Sequence, residues 1–169
     1  MQPFCYLFRD FLQIAYVTDD IDVATEYLES KLGTVECRKN YKALLQGVVT
    51  VDGKLADEWM IDVALVNAGP TNIEIIKPVG GAVDLYRPAI RPGAPATFHH
   101  IGFRVPDFDE ATEILAANGK TWKQYGTLDN YINFGYIDMT EELGHYVEIM
   151  DLLEDGVASF AALEEASNV

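Results

Sequence analysis

Leu12–Asp22 reads LQIAYVTDDID, and the pattern returns at His99–Asp109 as HHIGFRVPDFD. With Gln13 set against His100, Ile14 meets Ile101, Ala15 meets Gly102, Tyr16 meets Phe103 and Asp20 meets Asp107 without a gap. The register holds onward through Ala24 against Ala111 and Leu28 against Leu115. An ungapped match of this length marks an internal repeat. Each copy reads as a strand, a tight turn and an amphipathic helix, with Asp20 and Asp107 as N-caps. Asp107 and Glu110 have capping-box spacing, with Asp in place of the usual Ser or Thr.

A second pair follows. TNIEIIKP at Thr71–Pro78 returns as HYVEIMD at His145–Asp151. Gly33 and Gly119 stand where left-handed caps would end the two helices. Beyond them the pattern changes period. Val35 to Leu45, Trp59 to Val66, Asn72 to Ile76, Tyr131 to Ile137 and Tyr146 to Met150 are rich in aromatic and β-branched residues, as strands are. Asp52-Gly53 and Asp129-Asn130 mark turns between strands. The coarse order is a strand, a helix and about three strands, stated twice, which predicts an α+β fold of two similar modules. The expected boundaries are an N-terminal extension over 1–10, a first module over 11–77, an inter-module loop over 78–97, a second module over 98–151 and a C-terminal helix and tail over 152–169. The loop carries Gly80-Gly81 and four prolines, which exclude a continuous helix or a central strand; DLYRPAI within it has room for one turn. The acidic tail predicts a short final helix that places Phe160 and Leu163 on a neighbour.

Composition sets limits on partners. A chain of 169 residues with 49% apolar residues suffices for a core. No apolar run reaches the length of a membrane span, and MQPFCYLFRD lacks the features of a signal peptide, so cytoplasmic residence without a membrane partner is the expectation. A net charge of −15 repels phosphate backbones, so no nucleic-acid partner is expected. Arg38, Lys39 and Lys42 are close in sequence, but strand alternation splits them between two faces. Cys5 and Cys37 have neither zinc-knuckle spacing nor the density of a disulfide scaffold, and both read as reduced and structural.

Four polar residues interrupt the apolar strands: Gln13, Glu74, His100 and Glu148. Alternation puts their apolar neighbours on one face and these four on the other. Any one alone reads as a solvated or hydrogen-bonded strand residue. Together they occupy corresponding places, first strand or last strand, in each half. Packing about a pseudo-twofold axis would bring them to one point. Two carboxylates, an amide oxygen and an imidazole suit a divalent first-row ion, and Zn, Ni, Co, Mn or Fe all fit that donor set.

Through HHIGFRVPDFDEA, NIEIIKP, YINFGYIDM and ELGHYVEIM, from about Phe11 to Asp151, the chain resembles the vicinal oxygen chelate superfamily. That superfamily includes glyoxalase I, methylmalonyl-CoA epimerase, extradiol dioxygenases and the fosfomycin and bleomycin resistance proteins. The resemblance implies two βαβββ modules forming a curved mixed sheet around a central metal site. It puts the metal ligands on Gln13, Glu74, His100 and Glu148, a set similar to that of the eukaryotic glyoxalase I branch. Epimerases typically carry His in place of Gln13 and Gln in place of Glu74, yet the linker and the FHHIGF segment fit glyoxalase-like proteins near the epimerases best.

The implied activity is that of a divalent-metal-dependent lyase, isomerase or epimerase. It would transfer a proton at a carbon beside a carbonyl and pass through a metal-chelated enolate or enediolate, with Glu148 as proton shuttle and Glu74 as its counterpart. The implied partner is a small-molecule substrate, and dimers are common in the family, so a homodimer is expected. The alternatives are a non-catalytic, resistance-type binding protein, whose groove is lined by aromatics, and a ring-cleaving dioxygenase, whose two His and one Glu stay within one half. Glu36 and Glu58 are weaker candidates for an extra base. His99 should point away from His100, and His145 stands at the start of the last strand. Tyr131, Phe134 and Tyr136 read as pocket wall or core.

Overall fold

The computed structural model describes residues 2–32, 37–44, 47–68 and 71–167, and within them the side chains other than those of 32–47, 68 and 166–167. Gly33 and Glu36, and the side chains of Cys37, Arg38, Lys39 and Lys42, lie outside the described residues. The chain forms two compact units. An N-unit comprises Gln13–Leu45, Asp57–His99 and Ser159–Val169, and a C-unit comprises Met1–Leu12, Gln46–Ala56 and His100–Ala158.

In the N-unit, β1 (Asp10–Val17, of which Gln13 onward belongs here) leads into α1 (Ile21–Leu32), then β2 (Cys37–Leu44). The chain leaves through the hairpin strands β3 (Gly47–Val51) and β4 (Lys54–Leu55), which belong to the C-unit, and returns as β5 (Trp59–Ala68) and β6 (Thr71–Gly81). The strand order is β2-β5-β6-β1, with β1 parallel to β6 and the other neighbours antiparallel. In the C-unit, β7 (Thr97–Arg104, from His100 onward) is followed by α2 (Phe108–Ala117), β8 (Gln124–Leu128), β9 (Ile132–Met139) and β10 (His145–Leu152). The order is β7-β10-β9-β8-β3-β4, with β7 parallel to β10. Each unit is therefore a βαβββ module with the same wiring: its first and last strands are parallel neighbours, and its helix covers one face. The α+β fold read from the repeat is the fold observed.

Local chemistry explains where the elements begin and end. Asp20 Oδ1 accepts from the amides of Asp22 and Val23 at 3.1 and 3.2 Å, and Asp107 Oδ1 accepts from those of Asp109 and Glu110 at 2.9 and 3.0 Å. Both caps satisfy amides that a helix start leaves without a partner. Helix α2 gives way to Gly119 at φ +69°, the left-handed position expected there. Asp52 and Gly53, both at positive φ, turn β3 into β4. The predicted one-turn segment in DLYRPAI is a 3-10 turn at Arg87–Ala89.

The last strand of the N-unit ends later than the sequence reading has it. Strand β6 runs on through Pro78 and Gly80 to Gly81, where a loop is predicted from 78. It can do so because β1 pairs with β6 only as far as Ile76, so that beyond it β6 pairs within the unit with β5 alone. The register also shifts between Met60 and Ile61, giving Val79 as the extra residue of a bulge. Proline is tolerated at such an edge and bulge because it has no amide to leave unpaired.

The helix side of each sheet is the core. In the N-unit, Ile21, Ala24 and Leu28 of α1 pack on Ala64, Val66, Ile73 and Ile75. In the C-unit, Ala111, Ile114 and Leu115 of α2 pack on Ile137, Val147 and Ile149, joined by Trp122 and by Leu7 from a 3-10 turn at Phe4–Phe8. Each fully buried aliphatic side chain contributes about 1.5–3 kcal/mol to this packing. Burying Ile73 and Ile75, or Val147 and Ile149, under a helix forces Glu74 and Glu148 to the opposite face. The C-terminal helix α3 (Glu154–Ser167) forms as expected, with Leu163 buried and Phe160 half-buried.

Candidate metal centre

In the N-unit, Gln13 on β1 and Glu74 on β6 share the sheet face away from α1, because Gln13 pairs with Asn72 and Ala15 with Glu74. Gln13 Nε2 donates to Glu74 Oε2 at 3.1 Å. Gln13 is buried and Glu74 is half-buried. On the same face Asn72 Nδ2 donates to Asn67 Oδ1 at 2.9 Å.

In the C-unit, His100 on β7 and Glu148 on β10 stand at the equivalent places, since His100 pairs with Tyr146 and Gly102 with Glu148. His100 is 0% and Glu148 5% exposed. His100 Nε2 lies within hydrogen-bond distance of Glu148 Oε2, at 3.2 Å. The edge of the Tyr136 ring meets the imidazole, with centroids 5.1 Å apart. A buried carboxylate needs such a partner, because its desolvation is otherwise uncompensated. The structure thus brings the four expected ligand residues together as two pairs, one per unit, each off the helix-covered face.

The remaining candidates sort by face. His99 points the other way, as alternation requires: its Nε2 lies 2.9 Å from the Leu85 carbonyl oxygen and its ring packs on Tyr86. Glu58 is exposed. His145 is half-buried, with Nδ1 2.7 Å from the Tyr146 carbonyl oxygen. Phe134 and Tyr136 are buried on the Glu148 face rather than in the helix-side core, whereas Tyr131 is half-buried. Cys5 is a free, exposed thiol. Nearby, burial pushes the Tyr146 hydroxyl above its ordinary range, and the Thr140 hydroxyl holds Asp138 below the usual carboxylate range. Lys123 is raised by its hydrogen bond to Asp52.

Gln124 escaped the sequence reading. It lies on β8 opposite Tyr136, which itself lies opposite Glu148, so the three side chains form a row across one face. Gln124 is 1% exposed, and neither its amide nitrogen nor its amide oxygen finds a hydrogen-bond partner among the described residues. The available signal was QYGTL, five alternating residues between the Gly119 stop and the Asp129 turn.

The glyoxalase/bleomycin resistance protein/dioxygenase superfamily matches residues 12–134. The chain belongs to that superfamily. No curated protein matches its sequence. Among solved structures, methylmalonyl-CoA epimerase from Mycobacterium tuberculosis superposes with a TM-score of 0.61 at 14% identity, over 88% of this chain and 91% of that one. A methylmalonyl-CoA epimerase bound to methylmalonyl-CoA and NH4+ gives 0.55 at 13%, over 85% and 94%. A Streptomyces coelicolor methylmalonyl-CoA epimerase variant bound to 2-nitronate-propionyl-CoA gives 0.53 at 14%, over 85% and 96%. At these identities the likeness is one of superfamily fold. No helix among the described residues is long and apolar enough to cross a membrane.

Proposed function

We propose that this superfamily member is a divalent-metal-dependent lyase, isomerase or epimerase that moves a proton at a carbon beside a carbonyl of a small molecule. The observation that carries the reading is the equivalence of the two pairs: Gln13 with Glu74, and His100 with Glu148, each on the parallel first and last strands of its unit. Glu74, His100 and Glu148 offer two carboxylates and an imidazole, and Gln13 adds an amide oxygen. That donor set fits Zn, Ni, Co, Mn or Fe, and its two negative charges balance a divalent cation. A bound ion supplies Lewis acidity for a substrate's adjacent oxygens.

The chain's own residues supply the rest. Glu148 takes the proton from carbon through a carboxylate oxygen and returns it, with Glu74 as the corresponding group for the opposite face of the substrate. His100 holds Glu148 in position. Buried Phe134 and Tyr136 exclude water from the carboxylate. The epimerase likeness supports branched acyl thioesters as one substrate class to test, beside 2-hydroxy ketones and hemithioacetals.

Metal analysis of the purified protein, followed by deuterium exchange from solvent into those three classes, tests the reading. Glu148→Gln keeps the amide oxygen as a donor but cannot accept the proton, so it should retain most metal and lose exchange by about 100-fold or more. A Glu148→Gln protein that exchanges at the wild-type rate would refute the assignment. Protein that holds no metal and exchanges nothing is instead a resistance-type binding module.

A further inference from the structure

We infer that Gln124 is a specificity-determining residue that pairs with a neutral group of the substrate able both to donate and to accept a hydrogen bond, a carboxamide or a hydroxyl. This rests on the proposed metal-dependent reading and adds to it what the far end of the substrate must be. Three observations in the C-unit converge. Gln124 is 1% exposed with both amide atoms unmatched among the described residues. Its Cα partner is Tyr136, whose other partner is Glu148, so all three share the face opposite the helix-side core. Along β8, Gly126 follows on that same face with no side chain to reach the amide.

Burying an amide with nothing to bond is unfavourable, and an apolar side chain of the same size would pack there without that loss. A buried amide that costs stability in this way points to a ligand that completes it. The amide's chemistry then limits the ligand. Its NH2 group donates and its carbonyl accepts. A carboxamide or hydroxyl answers both, whereas a carboxylate answers only the NH2 group and sets a negative charge against the carbonyl oxygen. Two strand spacings, roughly 10 Å between backbones, separate Gln124 from Glu148, so the group that pairs with Gln124 lies a short chain's length from the reacting end.

Two measurements decide it. In the first, the ligand-free full chain is melted as wild type and as Gln124→Met, a near-isosteric change. The variant should melt at or above the wild type, because it removes an unmatched amide; a lower melting temperature means the amide has a structural partner and overturns the inference. In the second, zinc-loaded protein is titrated calorimetrically with three hydroxamic acids of equal chain length, ending in a carboxamide, a carboxylate or a methyl group. Wild type should bind the carboxamide-ended compound about tenfold more tightly than the methyl-ended one, the value of one good hydrogen-bonded pair. Gln124→Met should bring the two within about twofold, with zinc content unchanged. A wild type indifferent to the end group, or a preference that survives in the variant, overturns the inference. Loss of zinc, or failure of all three compounds to bind zinc-loaded protein, counts against the metal reading, and the melting comparison still decides Gln124 by itself.

Discussion

Removing the imidazole of His100 would take from Glu148, a carboxylate 5% exposed, the ring nitrogen 3.2 Å from its Oε2. Breaking one side of such a pair costs about 3–5 kcal/mol. His100→Ala should therefore unfold at lower urea than wild type in chelator-treated protein, and the unfolding free energy from the urea curve measures the loss. A change below about 1 kcal/mol would show that His100 is not what compensates the burial of Glu148. Asp138 offers a test with a defined sign. The Thr140 hydroxyl donates to its Oδ1 at 2.6 Å and keeps its folded pKa below the unfolded value of about 3.9. A group depressed in this way adds stability above the unfolded pKa, and that stability is lost as pH falls through the folded pKa. Thr140→Val should raise the Asp138 pKa, read from its carboxyl carbon shift by NMR, and move acid unfolding to higher pH.

Elements were legible where chemistry is local. The strand-turn-helix openings of both units carry their own caps in Asp20 and Asp107, and the alternation around Gln13, Glu74, His100 and Glu148 fixes which face each side chain takes. Pairing between distant segments was not legible. Strand β3 leaves the N-unit to pair with β8, setting Gly47 against Leu128 and Val51 against Gln124, and nothing within GVVTV or QYGTL announces that partner. The same gap hid Gln124, whose importance appears only once β8 is known to lie beside β9. Packing of element on element makes a further prediction. The Trp122 ring stacks on Phe108, donates from Nε1 to Thr112 Oγ1, and lies against Gly135 of β9, where an added Cβ would come within 2.6 Å of it. Gly135→Ala must push the indole out of this seat, so it should destabilise the protein by about 1–3 kcal/mol in thermal unfolding. If the variant instead melts with the wild type, the indole is less firmly held than its stacking and hydrogen bond imply.

Duplication at the scale of the whole chain gives each unit one incomplete donor pair, an amide with a carboxylate or an imidazole with a carboxylate. Neither pair alone supplies the three or four protein ligands that a tightly held first-row ion takes. The proposed function therefore requires one ion to draw on both, and that requirement has a thermodynamic signature. An ion that binds only the native chain stabilises it by about 2.7 kcal/mol at a free concentration one hundred times its dissociation constant. If both pairs hold it, that stabilisation reaches strands in both units. Amide hydrogen exchange at Val147 on β10 and at Ile73 on β6 should then slow together when zinc is added to chelator-treated protein. Glu74→Ala, which alters only the N-unit's pair, should abolish the slowing at Val147 as well as at Ile73. Were Val147 to keep its zinc-dependent protection in Glu74→Ala, the His100 and Glu148 pair would be binding the ion independently, and a site shared by both halves of the repeat would be excluded.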